Sequence, residues 1–221
     1  MKKWHLGVAL ALFAGGFDFG PGAAQAQELV TRVLPNQGGA MEGHTPRGFR
    51  GMGTGLFTGD NLNPGFPNGD GVQIFLTFDL RGLPDGVVRS AVLRAGGVQI
   101  QGNPFRDLGA LRGEEVRYRR FSSALWDKVP RGASCIFADS RAGPFACDLT
   151  EAVQRSRADG YAYAQFRLRL DKAGDGDGRP DMVMFFKSNS NTNEPGIFEL
   201  AVTLSPERRN APVTQERGDP M

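Results

Sequence analysis

Two stretches of this chain alternate apolar and polar side chains residue by residue. In residues 72–80 every second position is Val, Ile, Leu or Phe, and in residues 161–170 every second position is Ala, Phe or Leu. Alternation with a period of two is typical of a β-strand that turns one face to a core and the other away from it. We predict further strands at 28–34, 87–95, 181–186 and 197–204, where similar apolar patterns recur.

Turn and cap residues separate these strands. Leu83-Pro84-Asp85-Gly86 has the composition of a turn, and residues 35–71, rich in Gly, Asn and Pro, are expected to form loops or short irregular strands. The only predicted helix begins after Asp148, with Glu151 three residues later, and ends at Gly160. Roughly seven to ten strands and one short helix predict an all-β chain, an antiparallel β-sandwich or barrel. Alternating strands and helices are absent, which argues against a parallel α/β sheet.

The first 26 residues have the layout of a bacterial signal peptide: two early lysines, a short apolar run and a small-residue exit that ends at Ala26. The apolar run is shorter than the ~20 residues that a membrane span needs. We expect cleavage before Gln27, with an uncleaved anchor as the alternative. The chain is then secreted (extracellular or periplasmic) and has no membrane span. We expect a β-sandwich domain over 27–205 and a disordered, charged tail over 206–221.

The charge and the histidine content of the chain limit the classes of function that it can have. The formal net charge is +2, with charges dispersed along the chain and no nucleic-acid motif, so no nucleic-acid partner is expected. After the predicted cleavage site His44 is the only histidine, and a histidine-dependent catalytic triad would rest on it alone. We therefore predict no catalytic residue.

The two cysteines, Cys135 and Cys147, both lie in the part of the chain expected to be exported. Disulfides form and persist in oxidising compartments, so we predict that the two are bonded to each other. A metal pair or a redox pair is the alternative, although the chain has no CxxC motif and its histidine is distant in sequence.

Several motifs, in this order, resemble the DNRLRE family of secreted β-sandwich modules. They are Gly59-Asp60-Asn61 with Ile74 to Leu80, Leu83 to Gly86 with Ser90 to Arg94, Cys147 to Val153, and the strands around Phe185 to Ser188 and Leu200 to Val202. The resemblance covers most of 28–204 and implies a jelly-roll sandwich akin to carbohydrate-binding modules. Segment 96–146 is longer than the family leads us to expect. The two cysteines do not correspond to any feature of the family.

An acidic loop precedes the strand predicted at 181–186. Asp175, Asp177 and Asp181 are spaced by glycines that let the chain curl, and alternate carboxylates on such a loop suit a Ca²⁺ ion. The spacing is similar to the calcium loop of FG-GAP repeats at its third, fifth and ninth positions. The first position is Ala173, so Asp171 would have to contribute instead. We predict a weak Ca²⁺ site; the alternative is a solvated acidic hairpin.

The outward positions of the strand at 161–170 combine aromatic and cationic groups, which suit a sugar, especially an acidic one. This candidate ligand-binding stripe consists of Tyr161, Tyr163, Gln165, Arg167 and Arg169. Its alternatives are an ordinary solvent face or a face covered by segment 96–146.

Together with the family resemblance, the stripe predicts a non-catalytic module that binds or presents carbohydrate, with a polysaccharide or cell-surface glycan as its partner, in adhesion or surface-matrix assembly. Two alternatives stay open. One is a polysaccharide-degrading enzyme that uses scattered carboxylates. The other is a purely structural secreted protein.

Overall fold

The computed structural model of the chain describes residues 29–48, 55–61, 71–132, 134–186 and 197–205. The predicted signal peptide over 1–26 and the predicted tail over 206–221 lie outside these ranges. Within them, no helix is long and apolar enough to cross a membrane.

Thirteen strands make up most of the described part of the chain. In order they are β1 (Leu29–Val33), β2 (Pro35–Glu42), β3 (Thr45–Arg47), β4 (Gly55–Asp60), β5 (Val72–Asp79), β6 (Val87–Ala95), β7 (Val98–Gln101), β8 (Leu111–Glu115), β9 (Cys135–Ala138), β10 (Ala146–Asp148), β11 (Tyr163–Leu170), β12 (Asp181–Phe186) and β13 (Phe198–Ser205). A four-residue helical turn, α1 (Pro104–Asp107), precedes the one longer helix, α2 (Thr150–Ala158), and a 3-10 turn covers Ser123–Leu125.

The strands form two antiparallel sheets. The small sheet has the order β1-β13-β6-β10, and the large, curled sheet has the order β7-β12-β4-β5-β11-β8-β9, with β2 and β3 added beside β5. The chain crosses repeatedly between the sheets: β5 and β6 lie in different sheets, as do β9 and β10, and β12 and β13. The predicted all-β sandwich is therefore confirmed, with sequence neighbours distributed between layers as in a jelly roll.

The main core lies between the sheets and contains the inward residues that the alternation predicts. In β11 these include Phe166 and Leu168, and in β5 they include Ile74 and Phe78. The small sheet contributes its own apolar face from β6 and β13, and α2 adds Ala152 and Val153. Within residues 35–71, expected to form loops or short irregular strands, β2 is an eight-residue strand, because it gains its hydrogen bonds by pairing along β5 despite its glycines. Residues 49–54 and 62–70 of that stretch lie outside the described ranges.

A second apolar cluster lies on the outer face of the large sheet. Residues 116–131, here called the covering segment, leave the end of β8 and pack Val116, Tyr118 and Leu125 onto Phe75 of β5 and Met41 of β2. Gln73, Phe75 and Thr77, which face outward in β5, are therefore buried as well. Here both faces of the large sheet are covered, one by the small sheet and the other by the covering segment, whereas Ile136 of β9 and Phe186 of β12 are exposed.

The helix ends as predicted. Its last turn is followed by Gly160 with φ of 63°, a conformation that glycine adopts at low cost. The Gly160 and Tyr161 N–H groups donate to the carbonyls of Arg157 and Ser156, which is the Schellman arrangement. At the other end the N-cap residue is Leu149, which makes no side-chain cap, and Asp148 before it accepts a hydrogen bond of 2.8 Å from the N–H of Thr150, the first helical residue.

The predicted disulfide is present and joins the two sheets. Cys135 lies in β9 at one edge of the large sheet, Cys147 lies in β10 at one edge of the small sheet, and their Cα atoms are 5.9 Å apart. The bond therefore closes one side of the sandwich. Gly113 of β8 lies against it, and a Cβ atom there would come within 2.9 Å of the Cys147 sulfur.

Replacing both cysteines with serine should lower the free energy of unfolding by about 3 kcal/mol, since a short closed loop no longer restricts the unfolded chain. Urea unfolding of the oxidised wild type and of the Cys135→Ser/Cys147→Ser variant measures this difference. Equal stability of the two proteins would contradict the structural role.

Gly113→Ala provides the matched control for this experiment. Its added methyl group meets both sulfurs, so it should destabilise the oxidised wild type clearly more than the variant without the disulfide. An equal loss in the free energy of unfolding in both proteins would show that the added methyl group does not clash with the disulfide.

Candidate functional site

The predicted ligand-binding stripe is not an open face. Gln165 and Arg167 are only 6% and 3% exposed, while Tyr161, Tyr163 and Arg169 are half-buried. The covering segment lies over the middle of β11, so the expectation of five outward side chains available to a ligand is wrong for Gln165 and Arg167. The alternative that segment 96–146 covers this face is the arrangement found.

Arg167 has a structural partner in Glu114 of β8. Its Nε donates to a Glu114 oxygen at 2.7 Å, and both side chains are almost completely buried. Arg169 donates to the other Glu114 oxygen at 2.8 Å. Burial lowers the pKa of Arg167 below its usual value, and Glu114 opposes that shift.

The guanidinium of Arg167 also holds the covering segment. Its Nη1 donates to the backbone carbonyls of Trp126 at 2.7 Å and Leu125 at 3.3 Å. Gln165 acts in a similar way at the start of the segment, because its side-chain oxygen accepts the Tyr118 N–H at 3.0 Å. The Tyr118 hydroxyl in turn lies 3.1 Å from the Thr77 hydroxyl, and burial raises the pKa of Tyr118. These residues of the stripe therefore position the segment.

The covering segment and Tyr161 surround an open depression of about 750 Å³. We call it the basic depression, because its lining contains five cationic side chains: Arg117, Arg119, Arg120, Lys128 and Arg131. Tyr161 forms part of the wall, and Ser122 and Val129 add a hydroxyl and an exposed apolar group. Only Tyr161 of the predicted stripe lines it.

Ion pairs hold two of these cations. Asp159, at the end of α2, accepts hydrogen bonds from Arg117 at 2.9 Å and Arg131 at 3.3 Å. Arg117 also lies over the ring of Tyr161, 4.3 Å from its centroid. In the described part of the chain, Arg119, Arg120 and Lys128 form no ion pair with a carboxylate.

Tyr161 is held in place by its own hydroxyl. That group has one proton, which the side-chain oxygen of Gln165 at 3.0 Å and the Tyr118 carbonyl at 3.2 Å share as acceptors. Burial raises the pKa of Tyr161, and the nearby positive charges of Arg117 and Arg119 act against that shift. The hydroxyl is thus engaged within the protein, and the ring serves as a fixed wall.

The acidic loop brings together a different set of carboxylates from the one predicted. Among the described residues, carboxylate oxygens of Asp175, Asp181 and Asp107 lie within 4.8 Å of one another. Asp107 comes from α1, and no local spacing in the sequence points to it. Asp171 instead accepts the Ala110 N–H at 3.0 Å and binds Arg112, which lowers its pKa. Asp177 accepts the Arg179 N–H at 2.7 Å within its own loop.

Positive charge already lies beside this acidic group. Arg106 binds Asp107, and the hydrogen bond together with the nearby charges of Asp181 and Asp177 raises the pKa of Arg106. Lys172 also acts on Asp107 through its charge. The Ca²⁺ site with Asp171, Asp175, Asp177 and Asp181 stays a prediction from the sequence, and the structure offers Asp107, Asp175 and Asp181 as a second candidate set of ligands.

Two adjacent buried carboxylates in β8 are held by arginines. Glu114 and Glu115 are adjacent in β8, and they bind different arginines: Glu114 binds Arg167, whereas Glu115 binds Arg155 at 2.7 Å. His44 lies 3.0 Å from Asp127, and both side chains are largely exposed.

Comparisons with known proteins add no relative. No protein-family model matches the chain, and a search of curated proteins finds no matching sequence. The resemblance to DNRLRE modules therefore stays a prediction from the motifs.

Removing one partner of the buried ion pair should be costly. Arg167→Met leaves Glu114 buried with Arg169 alone and frees two carbonyls of the covering segment, so we expect a loss of about 3–5 kcal/mol in the free energy of unfolding. The double variant Glu114→Gln/Arg167→Met should recover a large part of that loss. Urea unfolding measures both, and a loss below about 1 kcal/mol for Arg167→Met would indicate a pair no stronger than an exposed one.

Calcium binding at the acidic group can be tested by thermal unfolding. Millimolar Ca²⁺ should raise the melting temperature relative to EDTA, because a bound cation offsets the repulsion between Asp107, Asp175 and Asp181. Asp181→Asn should abolish the difference, whereas Asp177→Asn, outside the group, should retain it. Superimposable curves for the wild type in Ca²⁺ and EDTA would leave the acidic hairpin as the correct interpretation.

Proposed function

We propose that this chain is a secreted, non-catalytic β-sandwich module that binds a polysaccharide or cell-surface glycan, in adhesion or in assembly of the surface matrix. The observation that carries the proposal is the basic depression with the ring of Tyr161 in its wall. A depression of about 750 Å³ lies within the size range of small-ligand sites, which extends to roughly 1,000 Å³.

The lining combines the group types that bind sugars. Tyr161 contributes an aromatic ring to the wall, with the guanidinium of Arg117 over one of its faces, and aromatic side chains of this kind pack against sugars. Ser122 and the arginines offer hydrogen-bond donors for hydroxyl groups. Because the covering segment is held by buried hydrogen bonds from Gln165 and Arg167, the backbone that carries these groups is already positioned before a ligand binds.

Secretion is supported by two separate features. The first 26 residues have the layout of a cleavable signal peptide. The bond between Cys135 and Cys147 belongs to the kind that persists in extracellular or periplasmic compartments.

The absence of catalysis is part of the proposal, and it is supported by the partners of the buried acids. Glu114 and Glu115 are buried and each is bound to arginine, so both carboxylates are engaged within the protein. Neither acid lines the basic depression.

Glycan binding can be measured with a glycan array followed by titration of the strongest ligand. Tyr161→Ala should weaken binding about tenfold or more, as expected for a central aromatic contact. Tyr163→Ala is the matched control, because Tyr163 lies next to Tyr161 but outside the depression, with Arg81 over its ring. Ala124→Trp, which fills the depression without removing a bond, gives a second test if Tyr161→Ala is unstable.

The same samples separate the proposal from its alternatives. New reducing ends after incubation with a bound polysaccharide would favour the polysaccharide-degrading enzyme. Failure to bind any glycan would favour a purely structural secreted protein.

A further inference from the structure

We infer that the basic depression selects an acidic polysaccharide, one that carries carboxylate or sulfate groups along its chain. This inference rests on the proposed function and names the ligand class of the same site. It starts from charge: the covering segment has five cationic residues and one acidic residue, Asp127. The whole chain has a net charge of only +2, so the rest of the chain is net negative and the positive charge is a local feature.

The protein's own carboxylates do not neutralise this charge. Asp159 is shared between Arg117 and Arg131, and Glu115 is shared between Arg131 and Arg155. Arg119, Arg120 and Lys128 are left without a carboxylate partner in the part of the chain that the structure describes. Three cations around one depression repel each other, and an anionic ligand would relieve that repulsion.

The chemistry of the cations points to carboxylate or sulfate. Four of the five are arginines, whose planar guanidinium can donate two parallel hydrogen bonds to two oxygens of one anion. Arg119 and Arg120 are exposed, so their donors are accessible to a ligand. Arg117, held by Asp159 and by the ring of Tyr161, forms the fixed back of the site.

The arrangement favours a sugar polymer over other polyanions. A nucleic acid needs cations that follow its phosphates over a face or along a groove, but here they surround a single depression backed by a tyrosine. A membrane surface favours a broad basic or apolar surface, and Val129 is the one strongly exposed large apolar residue among those that line the depression. Duplex DNA and anionic lipid are therefore alternatives that the experiment must address.

The test uses one polymer in two charge states. Binding of the full secreted protein to polygalacturonic acid and to its carboxyl-reduced, neutral form should differ by at least about tenfold, and binding to the acidic form should weaken as NaCl is raised. Arg119→Gln/Arg120→Gln should reduce affinity for the acidic polymer about tenfold. The matched control Arg94→Gln/Arg179→Gln removes two exposed arginines outside the depression and should bind as the wild type does. Chondroitin sulfate extends the test to sulfate.

The outcomes separate this inference from the proposed function. Equal binding of the acidic and neutral polymers, unaffected by Arg119→Gln/Arg120→Gln, would overturn the acidic class and leave glycan binding intact. Tighter binding of duplex DNA or of phosphatidylglycerol vesicles at the same salt, with loss in the same variant, would also overturn it. Failure to bind any polysaccharide, acidic or neutral, would overturn the proposed function itself.

Discussion

Arg167 and Glu114 form an ion pair that is almost fully removed from water, and the candidate site depends on it. Taking both charges out of water is unfavourable, and the cost is offset because Glu114 also binds Arg169 and Arg167 also binds the carbonyls of Leu125 and Trp126. Those carbonyls belong to the covering segment, so the pair fixes a long irregular stretch of chain on the sheet. The backbone that carries the cations of the basic depression is positioned as a consequence.

Helix α2 couples the same segment to the sandwich from the other side. Its C-terminal Asp159 binds Arg117 and Arg131, and its Arg155 binds Glu115 at the end of β8. The apolar side of the helix packs into the main core through Ala152 and Val153. The segment that lines the depression is therefore anchored both to the sheet and to α2, which is how a loop can present a preorganised binding surface.

Much of the fold could be predicted from local patterns. The alternation in β5 and β11, the turn at 83–86, the glycine that ends α2 and the pairing of Cys135 with Cys147 were all readable from short stretches. The candidate site was harder to predict from the sequence. One indication was available, because Phe75 lies among the polar outward positions of β5, and a large apolar residue at such a position indicates that another part of the chain covers that face. Segment 96–146 was long enough to provide the cover.

The sequence by itself determined which residues form strands and which face of each strand is apolar, since these follow from a period-two pattern and from turn residues. Only the tertiary structure decided what lies against the polar face. Alternation separates two faces but does not show whether the second face meets water or another part of the chain. Gln165 and Arg167 were therefore predicted to be part of a ligand-binding stripe, whereas in the structure they are buried and support the covering segment. The tertiary structure also decided that Asp107 lies beside Asp175 and Asp181, because the spacing of residues in the sequence does not indicate which separate elements come close in space.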